Sequence, residues 1–211
     1  MNLTIIGATG MVGSCLITEA LHRGHRVTAA SRHPEPDSHR EVRTLRVDAT
    51  TGEGLNDAVT DADALVLSIR ATPGQEDGLN LATQRVLDAT AHHEVPVLII
   101  GGAGALRSPN DPSRLLVDDP TYVPEAWKPL ATAGIEQLRT CQTHPHAKWT
   151  YLSPPAILEP GERTGTYRRG TTTLLTADDG TSHISAEDLA VAALDELENP
   201  RQEPHFTVAS S

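Results

Sequence analysis

Three glycines, Gly7, Gly10 and Gly13, recur at every third position in the segment LTIIGATGMVGS, directly after an apolar run and at the opening of a helical pattern. Gly7 can make the tight exit from a strand, Gly10 lets the backbone approach an anion with no Cβ in the way, and Gly13 lets the following helix pack closely. The N–H groups that open a helix have no intrahelical acceptor, so they would face that anion, and Thr9, Met11 and Val12 lie in the same turn. Strand, turn and helix in this order are what a diphosphate-binding turn requires, and the ligand it suits is a dinucleotide.

The second apolar run ends in AASRHP, placing Ser31 and Arg32 where a site selecting NAD would carry Asp or Glu against the ribose 2′-hydroxyl. A hydroxyl and a guanidinium can bind a 2′-phosphate through charge-assisted hydrogen bonds, whereas a carboxylate would repel it. NADPH is therefore the expected cofactor, with NADH less favoured; the plainer reading of Arg32 as a solvated loop charge stays open.

Ser68, Ile69 and Arg70 end the fourth apolar run and would border the adenosine and its neighbouring ribose. After the fifth run, IIGGAGAL sets Gly101, Gly102, Ala103 and Gly104 at the sheet edge that faces the nicotinamide in such a fold. Two uses fit these small residues: a flexible strand exit, or room for a flat acceptor to stack on the nicotinamide ring. Tyr151 and Ser153 alternate onto one strand face and either reach the pocket or, as suits Tyr151 better, the core. His144 and His146 have no Cys or carboxylate at ligand spacing, so no metal site is expected.

Positioning these groups requires alternating strands and helices. Strands are predicted at Leu3–Ile6, Val27–Ala30, Val42–Val47, Ala64–Ile69, Val95–Ile100 and Trp149–Leu152, several apolar on both faces as buried parallel strands are. Between the first two, Val12, Cys15, Leu16, Ala20 and Leu21 form an apolar stripe, with Glu19, His22 and Arg23 opposite and Gly24 placed to end the helix. Further helices are predicted over Glu53–Thr60, Leu79–His92 and Pro124–Gln142, and after Ser185, whose spacing to Asp188 is that of a capped helix. Phe206–Ala209 adds a last strand. Thr72–Gly78, Ala105–Val123 and Glu159–Gly170, rich in Pro, Gly and charge, are expected to be loops at the ligand-binding edge of the sheet. The fold class is α/β: a Rossmann-like, doubly wound, mainly parallel sheet with helices on both faces.

The chain has 211 residues and is expected to form one domain, residues 1–211, whose part beyond about residue 150 contributes the substrate side. Its formal net charge is −11 and only 3% of its residues are aromatic, so neither nucleic acid nor an anionic membrane is an expected partner. The uncharged opening Met1–Thr18 has no basic leader and is interrupted by glycines, unlike a signal peptide. With the separated thiols Cys15 and Cys141, these features point to a cytoplasmic protein.

GATGMVG has the GxxGxxG form and resembles the extended and atypical short-chain dehydrogenase/reductase superfamily. Together with GGAGAL, SPPAILEPGERTGTYR and ISAEDLAVAALDELE, it resembles the NADH-flavin reductase-like, NmrA-like branch of the atypical members, over nearly the full length. The PGERTG and ISAEDLA segments are the most specific parts. The resemblance implies a Rossmann-like fold, NAD(P)H as cofactor and reduction of a flavin or quinone-like acceptor. It also implies an adenine contact from Asp48, beside Ala49 in RVDAT, where a helix cap or turn is the alternative. Pro154 in YLSPPA matches the position lining the nicotinamide, though a proline pair also reverses a chain.

Typical members of the superfamily carry Tyr-x-x-x-Lys, whose tyrosine protonates a carbonyl oxygen. Here Tyr122 and Lys128 are six apart, and no tyrosine is followed by lysine at the required spacing. Ketone reduction would lack its usual acid, whereas a flavin accepts hydride at N5 and can take its proton from solvent. Lys128 remains the candidate catalytic residue, steadying the nicotinamide ribose, unless it is a surface helix lysine. The expected function is thus an NADPH-dependent reductase of a small planar acceptor, with flavin a substrate rather than a tightly held group. Two alternatives stay open: a non-catalytic NADP(H)-binding redox sensor, and a carbonyl reductase or epimerase whose acid has moved to Tyr151 or Tyr167.

Overall fold

The computed structural model describes residues 1–34, 42–72 and 74–211; Pro73, within the predicted loop Thr72–Gly78, lies outside them. The elements are β1 (Asn2–Ile6), α1 (Met11–His22), β2 (Arg26–Ser31), β3 (Val42–Arg46), α2 (Leu55–Val59), β4 (Ala64–Leu67), α3 (Asp77–His92) and β5 (Val97–Ile100). They continue with α4 (Lys128–Thr143), β6 (Trp149–Ser153), β7 (Ile157–Glu159), β8 (Tyr167–Gly170), β9 (His183–Ser185), α5 (Ala186–Glu198) and β10 (His205–Ser210). Eight strands join in the order β3-β2-β1-β4-β5-β6-β10-β8, all parallel except the β10–β8 pair. The chain winds outward from β1 through β3 and returns to β4 on β1's other side, so the direction of winding reverses between β1 and β4. That reversal opens a crevice beyond the strand C-termini, where open α/β sheets hold ligands. The predicted Rossmann-like, doubly wound sheet is the observed fold.

Alternation along each strand builds two cores. Leu3, Ile5, Val27, Leu98 and Phe206 face α1 and α5, meeting Leu16, Leu189 and Ala193. Ile6, Ala30, Leu65, Leu67 and Ile99 face α2, α3 and α4, meeting Leu55, Val86, Leu87 and Leu138. Because helices cover both faces, β4 (ALVL) and β5 (VLII) are buried at every position and read as unbroken apolar runs. The α1 helix stops where Gly24 takes φ +77° and its N–H bonds the Leu21 carbonyl. α5 opens on the Ser185 hydroxyl, which accepts from the Asp188 N–H at 3.0 Å.

Several boundaries differ from expectation. The helix predicted over Pro124–Gln142 is a 3-10 turn at Glu125–Trp127 followed by α4. The helix predicted from Glu53 begins at Leu55, because Gly54 is left-handed at φ +78°. The expected loop Glu159–Gly170 ends in β8, an antiparallel edge strand on β10. Its sequence, YRRG, carries no apolar alternation because its polar groups find partners instead: Tyr167 donates to Asp195, and Arg169 pairs with Glu196 while lying 3.6 Å from the Phe206 ring centroid. Among the described residues, no helix is long and apolar enough to cross a membrane.

Candidate functional site

Parallel register brings the candidate residues to one edge of the sheet: Ile6 pairs with Ala30 and Leu67, Ser31 with Arg46, and Ile100 with Leu152. The residues that follow, at Gly7, Arg32, Asp48, Ser68, Gly101 and Pro154, therefore leave the strands on the same side.

The glycine turn divides its labour. Gly7 has φ +90°, and a Cβ there would lie 2.0 Å from the Ser68 carbonyl oxygen. A Cβ on Gly13 would lie 2.1 Å from the Gly7 oxygen. Both glycines are demanded by the protein's own packing; Gly13 lets the helix close on the turn itself. Gly10 differs, since its Cβ would meet only the Gly7 oxygen, at 3.2 Å, and the residue is exposed. The room left at Gly10 is thus available to a ligand. Gly10 is the N-cap of α1 without a side-chain capping bond, the first turn holds no acidic residue, and the first intrahelical bond is Ser14 N–H to the Gly10 carbonyl. The N–H groups of Met11, Val12 and Gly13 consequently have no acceptor within the helix. An open backbone cradle with uncompensated N–H groups and a positive helix end fits a diphosphate.

Around it, Ser31 is buried at the end of β2 while Arg32 is exposed. Asp48 holds a turn: its Oδ1 accepts from the N–H groups of Thr50 at 2.8 Å and Thr51 at 3.3 Å. The turn alternative is therefore in place, which leaves Oδ2 for any adenine contact, and Ala49 is buried in the core beside Leu55. Ser68 and Ile69 are half-buried next to Gly7, and Arg70 is exposed.

The exit from β5 departs from the idea of open space for a substrate. A Cβ on Gly101 would fall 2.0 Å from Tyr151 Cζ, and one on Gly104 would fall 2.7 Å from the Ala131 carbonyl oxygen. Gly101 and Gly104 thus admit Tyr151 and α4, and their space belongs to the protein, whereas a Cβ on Gly102 would meet only the Gly134 Cα, at 4.0 Å. A Cβ on Gly134 of α4 would lie 3.6 Å from the Gly102 Cα, and Ala103 opens a short 3-10 turn. Tyr151 is fully buried, donates to the Gly134 carbonyl at 2.9 Å and faces Gln137 Oε1 at 3.1 Å; burial pushes its phenol far up. Tyr167 lies on the far edge strand, and burial together with its bond to Asp195 pushes it up to about 12. Neither is placed as a proton donor to a substrate, which removes the two relocated acids proposed from sequence. Pro154 is buried directly after β6.

Lys128 opens α4 with its Nζ 2.7 Å from Glu125 Oε2. It lines a cavity of about 460 Å³ between the first turns of α3 and α4, with Glu76, Asp77, Asn80 and Thr132 also in the wall. No motif marks this cavity, because its walls come from two segments distant in sequence.

The PGERTG and ISAEDLA segments meet each other. Arg163 of PGERTG grips Glu19 of α1 with Nε to Oε2 at 2.7 Å and Nη2 to Oε1 at 3.0 Å. In the same loop, Thr164 and the Gly165 N–H bond the Asp188 carboxylate of ISAEDLA at 2.6 and 2.8 Å, and Ser185 donates to the Glu162 carbonyl at 2.9 Å. Glu19, expected on the solvent side of α1, has a side chain only 3% exposed, also bonded by Arg23 at 2.8 Å. Hydrogen bonds from Arg163 and Arg23 outweigh burial and hold its carboxyl down at about 2. The only sequence trace of this buried charge is the Glu19–Arg23 spacing of one helical turn.

A family model described as NAD(P)H-binding matches residues 7–200. The chain is 36% identical over 215 residues to the uncharacterized protein YwnB of Bacillus subtilis (strain 168), covering 100% of this chain and 99% of that protein. Among solved structures, a protein from Bacteroides thetaiotaomicron provisionally assigned as an epimerase matches with a TM-score of 0.90 at 33% identity, covering 99% of this chain and 96% of that one. Another, from Streptococcus pneumoniae TIGR4 and provisionally assigned as an NADH-flavin reductase, matches with a TM-score of 0.89 at 29% identity over 100% of both chains.

Proposed function

We propose that this chain, which belongs to the NAD(P)H-binding family matched over residues 7–200, is an NADPH-dependent reductase of a small planar acceptor, a flavin or a quinone. The observation that carries this reading is the Gly10 cradle, roomy where the fold itself requires no room. The N–H groups of Met11, Val12 and Gly13 would hold the diphosphate, and Ser31 with Arg32 the 2′-phosphate that distinguishes NADPH from NADH. Ser68, Ile69 and Arg70 would flank the adenosine half, with Asp48 Oδ2 toward the adenine. Gly101, Gly102, Ala103 and Pro154 would form the wall at the nicotinamide end. Lys128 would steady the nicotinamide ribose, a task that asks it to leave only the solvent-screened ion pair with Glu125.

When bound, the reduced nicotinamide supplies a hydride. The chain's contribution is to orient two rings, since Tyr151 and Tyr167 are committed elsewhere and a flavin or quinone can draw its proton from water. The flavin reductase assignment of the Streptococcus pneumoniae relative supports this choice of acceptor. The test has two stages: calorimetric titration with NADPH and NADH, then loss of reduced-nicotinamide absorbance with FMN, riboflavin or a soluble quinone. Binding with turnover is expected. Binding of NADPH without consumption by any acceptor would instead make the protein a redox sensor, and no binding at all would end the proposal.

A further inference from the structure

We propose that Tyr151 and Ser153 are positioning residues that act together to fix the Gly102 backbone as the wall of the nicotinamide end. The inference rests on the dinucleotide reading above and adds to it the device that holds the far half of the site. Both polar groups of Gly102 are held by β6: its N–H points to the Tyr151 hydroxyl oxygen at 3.4 Å, and its carbonyl accepts from Ser153 Oγ at 3.0 Å. The two side chains are alternate residues of one strand, so a single element grasps the exit of its neighbour on both sides.

Each grip is anchored behind. The Tyr151 hydroxyl donates its one proton into α4, to the Gly134 carbonyl at 2.9 Å with Gln137 Oε1 beside it at 3.1 Å, and the Gln137 amide continues to Thr83 of α3 at 3.1 Å. Ser153 Oγ lies 2.9 Å from His205 Nε2 of β10. A serine hydroxyl has one proton; given to the Gly102 carbonyl, it leaves Oγ to accept from His205, which then carries its proton on Nε2. Burial holds His205 down at about 4, so the ring is neutral and suited to this arrangement near neutral pH. Meanwhile the Tyr151 ring occupies the place a Gly101 side chain would take.

The need for such a device follows from sequence. A Gly-Gly-Ala-Gly exit has wide backbone freedom, and unconstrained it would give a ring-binding surface no fixed shape. Holding Gly102 by both its N–H and its carbonyl removes that freedom before any ligand arrives.

The experiment compares wild type, Tyr151→Phe, Ser153→Ala and the double variant, measuring calorimetric affinity for NADP⁺ and for 2′,5′-ADP, which carries the adenosine half alone. Hydrogen exchange of the Gly102 amide is measured in the nucleotide-free protein. Each single variant is expected to bind NADP⁺ about three- to tenfold more weakly, to keep 2′,5′-ADP affinity within about twofold, and to exchange Gly102 about tenfold faster. The double variant should lose less than the product of the single losses, because both residues hold one short segment. If both ligands weaken in parallel, or neither changes, the positioning role is overturned. Should Ser153→Ala fail to fold, Tyr151→Phe, which keeps the ring in the core, decides by the same comparison. A wild type that binds neither ligand would instead sink the dinucleotide reading, and this inference with it.

Discussion

Arg163 reaches across the molecule to close two hydrogen bonds on Glu19, so the loop after β7 is tied to the helix whose N-terminus forms the glycine turn. Carboxylate and guanidinium thereby link α1 to the C-terminal part of the chain. Glu19→Gln removes the charge between Arg23 and Arg163 and should cost about 2 kcal/mol, lowering Tm by about 4–8 °C. The carboxyl is held at about 2, below its ordinary 4.5, so its contribution is complete above about pH 4.5 and disappears as pH falls through about 2. Urea unfolding of wild type and variant across that acid range checks both statements; parallel curves would refute the second.

The glycines of the turn should separate folding from binding. Gly7→Ala and Gly13→Ala place a Cβ within 2.0 and 2.1 Å of backbone oxygens and should destabilise the fold by more than about 2 kcal/mol. Gly10→Ala meets one oxygen at 3.2 Å, which a shift of a few tenths of an ångström relieves. That variant should melt close to wild type yet bind NADPH at least about tenfold more weakly. Thermal melts beside calorimetry decide it, and unchanged affinity in Gly10→Ala would speak against a diphosphate at this turn.

Arg32→Glu should invert the nucleotide preference. An exposed carboxylate at the end of β2 repels a 2′-phosphate and can accept from a 2′-hydroxyl, so NADPH affinity should drop by about tenfold or more while NADH affinity holds or improves. Competitive titration with the two nucleotides measures the ratio, and a ratio indifferent to the substitution would return Arg32 to an ordinary surface charge.

His205 should make stability pH-dependent in a different window. Its folded value of about 4 lies below the ordinary 6.5, so between these limits the unfolded chain binds a proton that the folded chain refuses. Stability is therefore undiminished above about 6.5 and declines as pH falls toward about 4, by up to about 3 kcal/mol at roughly 1.4 kcal/mol per unit. Urea midpoints for wild type and His205→Gln at about pH 7 and about pH 4.5 should diverge in slope. Equal slopes would place the titration elsewhere.

Much of this molecule was legible in its sequence because the physics involved is local. Continuous apolar runs such as ALVL and VLII announce strands covered on both faces, and a strand, three glycines and a helix in order announce an anion-binding turn. Ser185 and Asp188 announced a capped helix, which the structure has. What tertiary structure alone decided is which small or polar residues the protein keeps for itself. Gly101 and Gly104 make room for Tyr151 and α4 rather than for a substrate, and Glu19 is buried by an arginine from a distant loop. YRRG forms a strand because β10, Phe206 and Glu196 wait beside it. A residue's type fixes what it can bond and the space it needs, but whether that bond or space is claimed depends on partners that only folding brings near.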